Sequence, residues 1–171
     1  MAKEEQIKIV PYDPNWIQLF ETEKVLLQNL IGGWVIGGIE HVGSTSVPGL
    51  ASKPVIDIMI GVKNLQEAKA VIKTLEQLEY CYYPYKADEM HWFCKPSPYK
   101  RTHHLYIVEY NSSTWKKRIA FRDYLKKHPD AKAEYQDLKI KQAEFYKDDR
   151  EAYTEAKSEL INRIVEKALK E

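Results

Sequence analysis

IEHVGSTSVPGLASKPVIDIMIGV, residues 39–62, is the stretch that decides how this chain is read. It joins a small-residue turn at Gly43 and Ser44 to an apolar run that carries one acid, Asp57, with twelve residues between Ser44 and Asp57. Glycine reaches backbone angles that other residues avoid and lets a ligand approach the main chain closely. Ser44, Thr45 and Ser46 then offer hydroxyls and amide N–H groups of the kind that attract phosphate oxygens. The same residue types also serve as ordinary caps and turn formers, so for the turn alone both readings stay open. Asp57 is harder to explain blandly. Its neighbours Val55, Ile56, Ile58 and Ile60 mark a strand covered on both faces. An unpaired carboxylate there is costly to bury and calls for a metal, a cation or several donors. Turn and acid together point to phosphoryl or nucleotidyl chemistry. Lys53, just before Pro54 and this strand, is a candidate to neutralise a phosphate as a point charge.

Working outward, residues 34–42 read as a strand interrupted by Gly37 and Gly38, a pair that suggests a bulge. Before it, Asp13 and Pro14 supply a cap and a first-position proline. Trp16, Leu19, Phe20, Leu26, Leu27 and Leu30 follow at helical spacing, so a helix is expected over about 14–30. Residues 7–10 are a short apolar run placed as an edge strand. After the central strand, Asn64 caps a second helix whose buried face is Leu65, Ala68, Val71, Ile72, Leu75 and Leu78. Strands are expected around 91–95 and 102–110, joined as a hairpin by the loop 96–101. From 112 onward the chain reads as helical, broken at His128-Pro129 and at Asp148-Asp149. The fold class is therefore α+β in a single domain, 1–171, with an α+β part to about 111 and a helical part from about 112.

His103 and His104 open the strand 102–109, where neighbours face opposite sides. Only one can meet Asp57, and His104, sharing its face with Tyr106 and Val108, is preferred. His41 precedes the Gly-Ser turn and is a candidate for the same cleft. His91 and His128 receive no functional weight.

Composition bounds these ideas. The 171 residues suffice for one buried core, and 26 basic against 25 acidic side chains leave a formal charge of +1. Nothing global pulls the chain toward nucleic acid or an anionic membrane, so any anion site is local. Cys81 and Cys94 lack close metal-ligand spacing and read as reduced thiols rather than a bridge. No signal-peptide pattern opens the chain and no apolar run approaches the roughly 20 residues that cross a bilayer, so a cytoplasmic location is expected. The mixed-charge helical third reads as a solvated layer over the sheet, with dimerisation as the alternative.

The residues Glu40 to Leu50, Lys53 to Ile58, Thr102 to Leu105, and Phe121 to Leu125 with His128-Pro129 resemble the GrpB family (UPF0157), and the likeness runs over essentially the whole chain. That resemblance implies a nucleotidyltransferase-like mixed sheet with helices packed on it and a helical C-terminal part. In nucleotidyltransferases of this fold, Gly-Ser holds triphosphate and a pair of acids spaced by one residue binds two divalent ions for attack on the α-phosphate. Gly43 and Ser44 match the first element and Asp57 the first acid. Two positions on stands Met59, whose thioether is a poor ligand for magnesium.

Two readings result. In one, the protein is a nucleotidyltransferase-like enzyme that binds a nucleotide or other phosphorylated ligand. Asp57 and His104 are then catalytic or metal-binding, with magnesium, manganese or zinc as the ion. Gly43, Ser44, Thr45, Ser46, Lys53 and Arg101 hold phosphate, and Glu40, His41 and His103 stand behind them. In the other, the fold keeps its cleft but not its chemistry and works as a ligand-binding or protein-interaction module.

Overall fold

The computed structural model describes residues 2–171. A long helix, α1 (Asn15–Ile31), leads into β1 (Val35–Val42). The Gly-Ser turn then connects to β2 (Ile56–Val62). Two short helices, α2 (Leu65–Ala68) and α3 (Val71–Thr74), precede β3 (Cys81–Tyr83), β4 (His91–Pro96) and β5 (Arg101–Glu109). Four helices complete the chain: α4 (Ser113–Lys127), α5 (Pro129–Phe145), α6 (Arg150–Ala156) and α7 (Ser158–Lys170). The strands form one mixed sheet in the order β1-β2-β5-β4-β3, with β2 and β5 parallel and the other neighbours antiparallel. This is the α+β architecture expected, and the register between β1 and β2 slips at Val35/Gly38, where the paired glycines stand.

The period-2 pattern of the central strands splits their side chains between two layers. Ile56, Ile58, Ile60, Leu105 and Ile107 point to one face and pack on Trp16, Phe20, Leu27 and Ile31 of α1. Val42, Met59 and Val108 point to the other, under Trp115 and Ile119 of α4. The helical third is fastened to the sheet by the segment after the Gly-Ser turn. Val47 and Leu50 enter a cluster with Leu125, Tyr135, Leu160 and Ile164, drawn from α4, α5 and α7. The site therefore lies where that turn, the starts of β2 and β5, and the helical layer converge.

Two expectations need correction, and one strand was not foreseen. Residues 7–10 are not an edge strand: Val10 makes one isolated bridge to Ser52, and Pro11 has no N–H with which to extend a ladder. Ile7 instead packs on Ala143 and Tyr153. The helix expected from Asn64 is divided into α2, α3 and a 3-10 turn over Leu75–Leu78, because Ala70 and Ile72 donate three residues back rather than four. Its buried positions are kept: Ala68, Val71 and Leu75 are fully covered. Strand β3, with three residues, is too short to show an alternating pattern in sequence.

Candidate functional site

Asp57 sits at the start of β2 with His104 as its register partner on β5. His104 Nδ1 lies 3.1 Å from Asp57 Oδ1, and the Tyr106 hydroxyl donates to the same oxygen at 3.2 Å. Burial pushes the Asp57 carboxyl up, but the His104 hydrogen bond and the charges of His104, Lys53 and Arg118 outweigh it and hold the group below its ordinary value. For His104 burial wins over the pull of Asp57 and its pKa is lowered. The pair thus rests as a carboxylate and a neutral imidazole whose Nδ1–H donates to Asp57. That tautomer leaves Nε2 with its lone pair free, and Nε2 is buried without a hydrogen-bond partner. Burial raises the Tyr106 hydroxyl above its ordinary range, keeping it a proton donor, and the Arg118 guanidinium stacks 3.9 Å from its ring centroid.

The Gly-Ser turn touches this pair directly. Gly43 has φ +71°, and a Cβ on it would stand 2.4 Å from Asp57 Oδ2. Only glycine allows the turn to approach the carboxylate so closely. Ser44–Ser46 forms one 3-10 turn, and inside it the hydroxyls have different duties. Thr45, fully buried, shares a 2.9 Å hydrogen bond with His41 Nε2 and donates to the Val55 carbonyl, while the Ser46 hydroxyl donates to the Gly43 carbonyl. Ser44 alone turns toward the helical layer, where its hydroxyl meets that of Tyr135.

The second-acid position is closed. Met59 shares the face of Asp57 but is fully buried among Val42, Val108 and Trp115. With Asp57 Oδ1 already accepting from His104 and Tyr106, the oxygen donors do not fit a pair of hard divalent ions. No group of three His, Cys, Asp or Glu side chains among the described residues is placed to hold an ion.

The other candidates divide between the faces. Glu40 shares the Met59 face, pinned by Arg122 at 2.7 Å. His41 does not face the Asp57 cleft. It lies on the α1 side, stacked on Phe20 at 4.7 Å between centroids, and burial draws its pKa to about 4. His103 also faces α1, 3.9 Å from Glu23, where burial lowers it to about 4. Arg101 lies at the start of β5, bound to the Pro98 carbonyl and to Glu4. Cys81 and Cys94 are free thiols opposite one another on β3 and β4.

Three lysines meet beside this turn, and two of them could not be picked out of the sequence. Lys53 comes from the loop before β2, Lys139 from α5 and Lys157 from the junction of α6 and α7. Lys139 is 2% and Lys157 9% exposed. Burial is the main cause that lowers all three, to about 8, about 6 and about 7 respectively, and they repel one another. Lys139 donates to the Ala51 carbonyl at 2.6 Å. Lys53 and Lys157 rest over the ring of Tyr153, 5.1 and 4.1 Å from its centroid. None of the three has a carboxylate within 4.0 Å among the described residues. The only signal in the sequence was a lysine at a helix position shared with Tyr135, a pattern indistinguishable from the many solvated lysines of this third.

The GrpB protein family model matches residues 6–167. The chain belongs to the GrpB family. Among its relatives, the glutamate-rich protein GrpB of Alkalihalophilus pseudofirmus is 34% identical over 94% of each chain. A UPF0157 protein of Bacillus subtilis, YqkA, is 34% identical over 95% of this chain but only 47% of its own length. The crystal structure of GrpB from Enterococcus faecalis superposes with a TM-score of 0.87 at 31% identity, covering 95% of this chain and 98% of that one. More distant structures share the fold of this GrpB chain alone. The GLD-2/RNP-8 complex gives a TM-score of 0.58 at 12% identity over 91% of this chain and 60% of that one. The Cid1 poly(U) polymerase with MgGTP gives 0.52 at 12% over 78% and 43%. The fold is therefore nucleotidyltransferase-like. In addition, among the described residues no helix is long and apolar enough to cross a membrane.

Proposed function

We propose that this GrpB protein binds a nucleotide or other phosphorylated ligand between the Gly43-Ser44 turn, the Asp57 strand and the lysines of the helical layer. The observation that carries the reading is the set of three buried lysine side chains, each easier to protonate beside an anion, with no carboxylate within 4.0 Å of them among the described residues. Burying like charges together is unfavourable, and a bound anion relieves that cost where water and the protein do not. Gly43 gives a phosphate access to the main chain, and Ser44 supplies the hydroxyl turned toward Tyr135 of the helical layer. Thr45 and Ser46, engaged inside the turn, act by holding its shape.

A second reading, nucleotidyl transfer, is favoured by the Asp57–His104 pair. Asp57 holds His104 in the tautomer whose Nε2 accepts a proton, the arrangement of an oriented general base. In that reaction an acceptor hydroxyl would lose its proton to Nε2 as its oxygen bonds to phosphorus. The leaving phosphate would depart with the bond electrons toward the lysines. Met59 argues for ligand binding without turnover, and no step is assigned to a metal.

Calorimetric titration with nucleoside triphosphates tests the first reading: a single saturable site is expected, weakened in Lys157→Met. Absence of binding by any phosphorylated compound would overturn it. For the second, labelled nucleoside triphosphates incubated with candidate acceptors should give transfer that falls at least about 10²-fold in His104→Ala. Tight binding with no transfer leaves the module.

A further inference from the structure

We propose that Cys81 and Cys94 form a redox pair, whose thiols close reversibly into a disulfide between β3 and β4 with a small-molecule disulfide as the oxidant. The pair lies outside the lysine cluster and is independent of the phosphorylated-ligand reading.

The two cysteines are direct register partners on antiparallel strands, so their side chains leave the same face of the sheet. Opposed Cα atoms in such a pair stand about 4.5–5.5 Å apart, inside the range of roughly 4.4–6.8 Å that a disulfide spans. Their Cβ atoms, also about 4.5–5.5 Å apart, must close to about 3.5–4.5 Å, an approach of about 1 Å. Strand β3 can supply that movement, because it is three residues long and stands at the end of the sheet, next to β4. The Cys81 thiol is already turned onto the partner strand, where it donates to the Pro96 carbonyl at 3.5 Å. Cys81 is also among the charges that act on the Cys94 thiol, and both act on Tyr83.

The two sulfurs differ in access. Cys94 is fully covered and burial pushes its thiol up, with Arg101 the first charge to oppose that, whereas Cys81 is only partly buried and meets an oxidant first. Cys81, having lost its proton to solvent, attacks one sulfur of the small disulfide. A mixed S–S bond forms, the original one breaks, and one small thiolate leaves with the bond electrons. Cys94 then loses its proton and attacks the Cys81 sulfur, and the second small thiolate leaves. The two thiolates take up the two protons, so two protein thiols are oxidised as one small disulfide is reduced. Cys94 is in turn the register partner of His104, and His104 of Asp57. The bridge therefore ends a row of residues that carries the Asp57–His104 pair, and closing it ties the edge strand covalently beside the candidate site.

The test is equilibration of the intact protein with reduced and oxidised glutathione at a series of ratios, in buffer and in urea, followed by acid quenching, alkylation and mass spectrometry. At a given ratio the folded chain should favour the bridge at least about tenfold more than the unfolded chain, because the fold holds the partners opposed. Peptide mapping should join Cys81 to Cys94, and dithiothreitol should restore both thiols. Cys94→Ser should stop at glutathione on Cys81, and Cys81→Ser should leave Cys94 free, with circular dichroism confirming that both variants are folded. Bridging no more favourable in the folded chain than in urea would overturn the proposal. So would a folded wild type that stops at glutathione on Cys81 with Cys94 free, or bridges that join two chains.

Discussion

The two faces of the sheet each bury a cluster of ionisable groups, and they resolve the cost in opposite ways. On the α1 face, Glu23 is 4% exposed yet fully matched: Lys95 lies 2.6 Å from its Oε1, the Tyr80 hydroxyl donates to the same oxygen at 2.8 Å, and His103 stands near Oε2. That cluster is complete within the chain. On the helical face, Lys53, Lys139 and Lys157 gather around the Gly-Ser turn with no acid of their own. A closed cluster of the first kind ties a helix to a sheet, whereas an open one of the second kind is legible as half of an interaction whose other half is a ligand.

The comparison is broken most severely from the closed side. Glu23→Ala strands the Lys95 ammonium and the Tyr80 hydroxyl, and unfolding in urea should show a loss of about 3 kcal/mol or more. A loss below about 1 kcal/mol would mean that the cluster is not closed in the sense described. Next comes Gly43→Ala, which forces a side chain into the positive-φ region and against Asp57 Oδ2. Stability should fall by about 1–3 kcal/mol, and phosphate-ligand affinity should drop with it.

Smaller and of opposite sign is Lys157→Met. Replacing an uncompensated buried charge with an apolar chain of similar length should leave ligand-free stability unchanged or raise it by about 1 kcal/mol, at the expense of ligand affinity. A further effect, read across the pH range rather than from a variant, is on pH dependence. Lys53, Lys139 and Lys157 have folded values of about 8, 6 and 7, all below their ordinary 10.5, so the unfolded chain binds more protons than the folded one between about pH 6 and 10. Ligand-free stability should therefore rise from pH 7 to 9.5. Over that range His41 and His103 are already neutral, Tyr135 and Tyr106 still protonated, and Asp57 ionised throughout. Saturating tripolyphosphate holds the lysines charged and should flatten or invert the slope, so affinity falls as pH rises. Melting temperatures across the series measure both, and a flat ligand-free profile would contradict the lysine assignment.

Much of the fold was legible because its signals are local. The glycine pair at Gly37 and Gly38 announced a bulge, the apolar run of β2 announced a central strand, and proline and acid pairs marked the breaks at Pro129 and Asp149. The pairing of Asp57 with His104 also followed from alternation along β5, once β2 and β5 were neighbours. His41 was misplaced because its face is set by the register of β1 against β2, where it pairs with Ile58 rather than Asp57, and no local signal in the sequence fixes that pairing. Lys139 and Lys157 were invisible for a different reason. Their meaning lies in tertiary convergence of α5 and the α6–α7 junction on Lys53, and nothing in a lysine's sequence neighbours distinguishes burial from solvent.

Thermal unfolding of the wild type and Lys157→Met, each with and without tripolyphosphate, tests the open cluster most directly. Without ligand the variant should melt at or above the wild-type temperature, and with ligand only the wild type should gain substantially. A variant that melts lower alone yet gains as much from tripolyphosphate would show that Lys157 is a structural charge and that the anion binds elsewhere.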